Sequence, residues 1–222
     1  MPVPTILLAS SSPRRKQLFS WMGWNFALRA VDMDETPQIG ELPQAYVARV
    51  AETKAKLAAA GLPDGWIVIA ADTTVADGKE ILGKPIDDND ARRILYQLRK
   101  RVHHVHTALS VLESSTGNEY NDLCTSRVPM RDYDDDEIEA YISSGDPLDK
   151  AGAYAIQNSH FHPVKSFRGC FANVMGLPLC HLTRTLAKAG IKPRTDLPRV
   201  CQENLNYDCP VYEAVLRSEK AG

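Results

Sequence analysis

The sequence predicts an α/β fold, and three observations carry that expectation. Two short apolar runs, residues 5–9 and 66–71, read as strands buried on both faces. Each runs directly into polar residues, Ser10-Ser11-Ser12 after the first and Asp72-Thr73-Thr74 after the second. Segments with apolar residues at helical spacing alternate with these runs. At 222 residues the chain is long enough for one large α/β domain or two small ones.

Taken in order, the elements place charge at particular points. Ser12 is a good N-cap, and Pro13 suits the first helical position, where its missing N–H is not needed. The helix that follows carries Leu18, Phe19 and Met22 on one stripe. Arg14 and Arg15 thus stand at a helix N-terminus, where free N–H groups and the dipole favour an anion. Arginine also suits bidentate phosphate contacts. Residues 24–30 alternate as a strand, and 31–40 form an acidic loop containing Asp32, Asp34 and Glu35. Such a cluster is either solvated or able to hold Mg²⁺, which takes oxygen ligands. A helix is predicted over 43–60, stopped by Gly61. Its stripe of Val47, Val50 and Ala51 continues at Lys54, which either snorkels from the core edge or points into a charged site.

The second apolar strand delivers Asp72 at its C-terminal end, where open α/β sheets commonly place ligands. Residues 76–85 read as a short loop that holds Lys84 between Gly83 and Pro85. Asp90 is expected to cap a helix with Ala91, Ile94, Leu95 and Leu98 inward. The basic run 99–101 suits that helix's C-terminal dipole. His103, His104 and His106 open the next strand and are expected to be exposed; a metal site on His104 and His106 is the other reading. Residues 122–130 alternate as a strand, and 135–143 form a helix with Ile138, Tyr141 and Ile142 on its apolar side. The loop 143–157, rich in Gly and Asp, has the character of a functional loop. A last helix ends at Gly190, and a proline-punctuated tail from Ile191 forms a short helix on the body or on a second subunit.

Composition excludes several classes of function. Lys and Arg number 26 against 28 Asp and Glu, a net charge of −2, so there is no basic field for nucleic acid or an anionic membrane. No apolar run approaches membrane-spanning length, and Met1-Pro2-Val3-Pro4 lacks the form of a signal peptide. The five cysteines are spread along the chain without a C-x-x-C pair, which fits a reducing cytoplasm.

The segments LASSSPRR (8–15), DETP (34–37), VAETKA (50–55), AADTTV (70–75), GKP (83–85), GDPLDKAGAYAIQ (145–157) and NVMGLPL (173–179) together resemble the Maf-like nucleoside triphosphate pyrophosphatases. Their order covers residues 4 to about 190, leaving 191–222 as a C-terminal extension of unknown role. The resemblance implies a single-domain α/β/α sandwich with an elongated mixed sheet and a central cleft between two lobes. It implies hydrolysis of a nucleoside triphosphate to monophosphate and pyrophosphate with a divalent metal, Mg²⁺ or Mn²⁺. By position, Asp72 would be the proton acceptor, and Ser12, Arg15, Lys54 and Lys84 would line the phosphate site. Glu35 and Asp72 would hold the metal, while Arg14, Thr73 and Gln157 would set base preference. The combination is similar to the branch that cleaves dTTP and UTP, a house-cleaning role, and it leaves a homodimer open. Two positions depart from the family pattern: Lys100 and Asn158 stand where glycine is usual, and asparagine is expected to imitate glycine in a left-handed turn.

The residues support this chemistry on their own. Cleaving a phosphoanhydride needs charge neutralisation on the triphosphate and a positioned water, which the cations and Asp72 would supply. There is no P-loop and no Ser-His-Asp or Cys-His arrangement. The competing expectation is a nucleotide-binding regulator of growth or cell division with little catalysis.

Overall fold

The computed structural model describes residues 5–219. Its sheet is built from β1 (Thr5–Leu8), β2 (Phe26–Leu28), β3 (Trp66–Asp77), β4 (Glu80–Leu82), β5 (Val102–Glu113) and β6 (Glu119–Pro129). The strand order is β2-β1-β3-β5-β6, with β4 paired to the far half of β3. β1 runs parallel to both β2 and β3, whereas β3, β4, β5 and β6 pair antiparallel. The sheet is therefore mixed. β3 and β5 have 12 residues each, which at strand rise makes them roughly 40 Å long.

Helices cover both faces, and the chain path explains why. α1 (Pro13–Ser20) connects β1 to β2 on one side of β1, and α2 (Pro43–Ala59) returns past β1 to β3 on the other. Right-handed crossovers in opposite directions put the two helices on opposite faces. Leu18, Phe19 and Met22 pack with Ile6, Leu8, Ile67 and Ile69 on one face. Ala55 and Ala58 pack with Leu7, Val68 and Ala70 on the other. Beyond the middle of β3 a second core takes over. There Val75, Leu82 and Val105 pack with α3 (Asp88–Leu98) and α4 (Asp135–Ser143). These two cores make two lobes strung on the long strands.

Several expectations need correction. The polar run after Ala71 does not end the strand: β3 continues to Asp77, so Asp72 sits mid-strand rather than at a strand end. Pairing with β5 holds it extended, from Ile67↔Glu113 through Ala76↔His104. The expected loop over 76–85 contains β4, which folds back on β3. α3 is capped by Asp87, whose carboxylate accepts from the Asp90 N–H at 2.8 Å, three residues before the expected cap. The strand expected over 24–30 shrinks to the three residues of β2.

The histidines are also not the exposed residues expected. His103 and His106 are buried, His103 Nε2 lying 2.8 Å from Tyr154 Oη and His106 Nδ1 2.8 Å from Thr125 Oγ1. Burial pushes their pKa values down to about 3 and about 4, so both are neutral partners at neutral pH. Lys100 does take a glycine-like φ of 62°, and its ammonium bonds Asp132 at 2.8 Å. Asn158 does not adopt a left-handed conformation. Its amide instead accepts from the N–H groups of His160 and Phe161.

The chain ends in α5 (Phe171–Val174), α6 (Leu179–Lys188), α7 (Leu197–Leu205) and α8 (Tyr212–Leu216). The tail is part of the body: Leu197 and Cys201 of α7 join the core under α1 and α6. Thr195 Oγ1 donates to Trp21 O at 2.7 Å. Among the described residues, no helix is long and apolar enough to cross a membrane.

Candidate active site

The site begins with a gap in the sheet. β1 accompanies β3 only as far as Leu8↔Ile69, and β4 joins the same strand only from Val75↔Leu82. Residues 72–74 of β3 therefore present an edge that neither strand covers. The order 2-1-3 also makes this the switch point of the parallel part of the sheet, where crevices form at strand ends. A cleft of about 460 Å³ opens here, within the usual range for a small-molecule site. The loop after β1, the turn after β4 and residues 149–157 wall it in.

All nine residues expected at the site line this one cleft: Ser12, Arg14, Arg15, Glu35, Lys54, Asp72, Thr73, Lys84 and Gln157. Strand alternation separates their roles, since Asp72 and Thr73 point to opposite faces of β3. Asp72 faces α2, whose inner stripe of Val47, Val50, Ala51, Lys54 and Ala55 is buried. Lys54 does not snorkel: its ammonium donates to Asp72 Oδ1 at 2.7 Å and pairs with Glu35 Oε1 at 2.8 Å. Burial pushes the Asp72 carboxyl above the ordinary carboxylate range, and Lys54 and Arg15 pull against that shift.

Thr73 faces α1. Ser12 caps that helix by accepting from Arg15 N at 3.4 Å, and Pro13 occupies its first turn. Arg15 then lies across the cleft floor, donating from Nε to Gly176 O at 2.8 Å and from Nη2 to Thr73 Oγ1 at 3.0 Å. Two of its five N–H donors are used, which leaves three for an anion. Gly176 permits this close approach. A Cβ there would lie 3.4 Å from both Arg15 Nε and Thr73 Oγ1, on a backbone with φ of 106°. Burial lowers the Arg15 pKa, with Asp72 and Glu35 opposing, but a guanidinium stays charged at working pH.

Lys150 forms the opposite wall and was not anticipated. It is buried, and its ammonium is held by Asp149, by Asp146 and by the Asp146 carbonyl. Asp149 in turn lies 3.7 Å from Arg14 Nη1, so it bridges Lys150 to the arginine at the cleft mouth. A lysine with aspartates one and four residues before it, inside a Gly-rich loop, was the available signal. Lys84 and Gln157 line the cleft with exposed side chains. Arg14, Arg15, Lys54, Lys84 and Lys150 outnumber Glu35, Asp72 and Asp149, so the cleft favours a polyanion.

Residues 5–189 match the family described as "Maf-like protein". The chain belongs to that family. It is 42% identical to a dTTP/UTP pyrophosphatase of Myxococcus xanthus over 84% of this chain and 93% of that protein. A dTTP/UTP pyrophosphatase of Anaeromyxobacter dehalogenans is 44% identical over 84% and 95%. One from Thermomicrobium roseum is 39% identical over 98% of both chains, so its alignment includes the tail. Among solved structures, the Staphylococcus aureus Ham1 protein covers 58% of this chain and 72% of its own at 17% identity and a TM-score of 0.42. A dITP/XTP pyrophosphatase from Mycobacterium abscessus covers 84% and 97% at 14% identity and a TM-score of 0.40.

The donor set of this Maf-like cleft also bears on metal binding. Glu35 and Asp72 converge on one cation position, the Lys54 ammonium, and each spends one oxygen there. Asp34 bonds the N–H of Thr36 at 2.9 Å. Among the described residues no group of three or more His, Cys, Asp or Glu side chains gathers as a cage. Two carboxylates fit Mg²⁺ or Mn²⁺, which take hard oxygen ligands; Mg²⁺ in particular is commonly held by one or two carboxylates with phosphate oxygens and water.

Proposed function

We propose that this chain hydrolyses nucleoside triphosphates at the α–β anhydride, releasing a monophosphate and pyrophosphate, with dTTP and UTP preferred. The observation that carries this reading is the buried Asp72–Lys54 pair at the uncovered edge of β3, in a cleft with excess positive charge. The names of the curated relatives point the same way.

Asp72 accepts the proton of the attacking water. Lys54 bonds its Oδ1, which leaves Oδ2 as its free oxygen. Arg15, Lys54 and Lys84 bind the phosphates and take up the charge that develops on departing pyrophosphate. Glu35 and Asp72 would hold a divalent metal, which supplies Lewis-acid neutralisation of the triphosphate when bound. Gln157 and Arg14 face the base: the amide offers a donor and an acceptor, and the guanidinium favours carbonyl edges. The five cysteines are free thiols, in keeping with action in a reducing cytoplasm.

Screening common triphosphates while measuring pyrophosphate and orthophosphate separately tests this reading. The expected result is pyrophosphate and monophosphate in equal amounts, dTTP and UTP ahead of CTP, and ATP last. Orthophosphate as the main product would overturn it. Lys54→Ala is expected to raise KM for the triphosphate. It should also move the acid limb of the pH–rate profile to higher pH, because Lys54 is the strongest group holding the Asp72 pKa down. An unmoved limb would separate Lys54 from Asp72 in function.

A further inference from the structure

Behind Thr73 runs a chain of hydrogen bonds whose direction is determined at every link. Asn173 is fully buried, and its main-chain oxygen receives the Gly176 N–H at 2.9 Å and the Thr107 hydroxyl at 3.1 Å. A carbonyl oxygen only accepts, so Thr107 must be the donor there and has spent its single proton. Thr107 Oγ1 also lies 2.9 Å from Thr73 Oγ1, and with Thr107 already donating elsewhere, Thr73 is the donor in that bond. Arg15 Nη2 donates to Thr73 from the other side at 3.0 Å. The Asn173 amide is locked as well, donating to Val105 O at 3.1 Å and Ser126 Oγ at 3.0 Å. Thr73 has therefore turned its proton inward and has one lone pair left for the cleft that it lines.

We infer that Thr107 and Asn173, buried behind the cleft wall, are positioning residues that make Thr73 an obligate hydrogen-bond acceptor and so select uracil and thymine over cytosine. This rests on the dTTP and UTP preference proposed above and on the base-setting place that the family resemblance gives Thr73. Uracil and thymine carry an N3–H donor that matches the free lone pair. Cytosine carries a lone pair at N3, which faces another lone pair and stays unpaired. Neither Thr107 nor Asn173 needs to touch the nucleotide; they act through the one proton that Thr73 owns.

The test compares binding of α,β-imido analogues of UTP and CTP by titration calorimetry, with inorganic triphosphate as the phosphate control and turnover assayed separately. Thr107→Val removes the acceptor for the Thr73 proton at nearly constant volume, freeing that hydroxyl to turn into the cleft. The UTP-to-CTP affinity ratio is expected to fall about tenfold or more, chiefly through tighter CTP analogue binding, with inorganic triphosphate unaffected. Thr107→Ser, which keeps the hydroxyl, is expected to retain the wild-type ratio. Thr107→Ala reads the same quantity if the valine variant does not fold. An unchanged ratio in the folded valine or alanine variant overturns the inference, as does an equal loss in the serine variant or a wild type that binds both analogues alike. Intact binding preference without pyrophosphate release would count against the hydrolytic reading alone.

Discussion

Asp72→Asn is expected to lower pyrophosphate release about 10²–10⁴-fold, the usual contribution of a general base, while leaving nucleotide binding in place. Asparagine keeps the shape of the side chain and an acceptor for the Lys54 ammonium but cannot take a proton from water. The wild-type rate should fall as pH drops through the Asp72 pKa, which burial raises, and the variant should lack that acid limb. Stability should move the other way. A folded-state pKa raised above the unfolded value means that the fold tolerates the neutral carboxyl better than the carboxylate. Ionised Asp72 therefore subtracts stability once pH rises through its folded pKa. The neutral amide avoids this, so Tm at pH 7 should be equal to wild type or higher. Near-normal turnover in the variant would remove Asp72 from the mechanism, and a large fall in Tm would remove the linkage argument.

Gly152→Ala is expected to be the most damaging small substitution near the site. Gly152 has φ of 72°, and a Cβ there would lie 2.7 Å from Val75 Cγ2 and 2.9 Å from Val75 Cβ and Cγ1. Val75 is held in β3 by β4 on one edge and β5 on the other, so it cannot retreat cheaply. The left-handed backbone costs an alanine about 1–2 kcal/mol, and overpacking adds about 1–3 kcal/mol. Together these correspond to a fall in Tm of roughly 5–15 °C for a chain of this size. Gly152 N also donates to Gly83 O at 3.0 Å, which ties the Lys150 wall to the residue before Lys84. KM for the triphosphate should therefore rise together with the loss of stability. Thermal melts within about two degrees of wild type would refute the close contact with β3.

How far the sequence could be read differed from residue to residue. Ser12, Pro13 and the arginines were legible because capping and helix initiation are decided within four residues. Lys54 was legible as an inward lysine because helical spacing alone puts it on the stripe with Val47 and Val50. Its two fates, snorkelling or charged site, are separated only by Asp72 and Glu35, which meet its ammonium. Asp72 is legible as a site residue but not as a mid-strand one, since a strand that turns polar after Ala71 resembles a strand that ends. Only the continuous ladder with β5 shows that it goes on. The histidines look exposed in the sequence for a related reason: their burial comes from partners remote in sequence, such as Tyr154 against His103.

By itself the sequence determined the local elements and the kinds of chemical group at their ends: strand, cap, cationic helix start, inward lysine, carboxylate. These follow from short-range energies, namely periodic burial, capping and the conformational limits of proline and glycine. Only the tertiary structure decided that the groups meet, and where. β1 stops at Leu8 while β3 runs on to Asp77, which opens the sheet edge that becomes the cleft. Arg15 reaches Gly176 and Lys54 reaches Asp72 across that opening. The direction of the Thr73 hydroxyl depends on Thr107 and Asn173, which no local pattern connects to it. Strand pairing fixes which distant residues face one another, and a hydroxyl's single proton goes wherever that pairing leaves an acceptor.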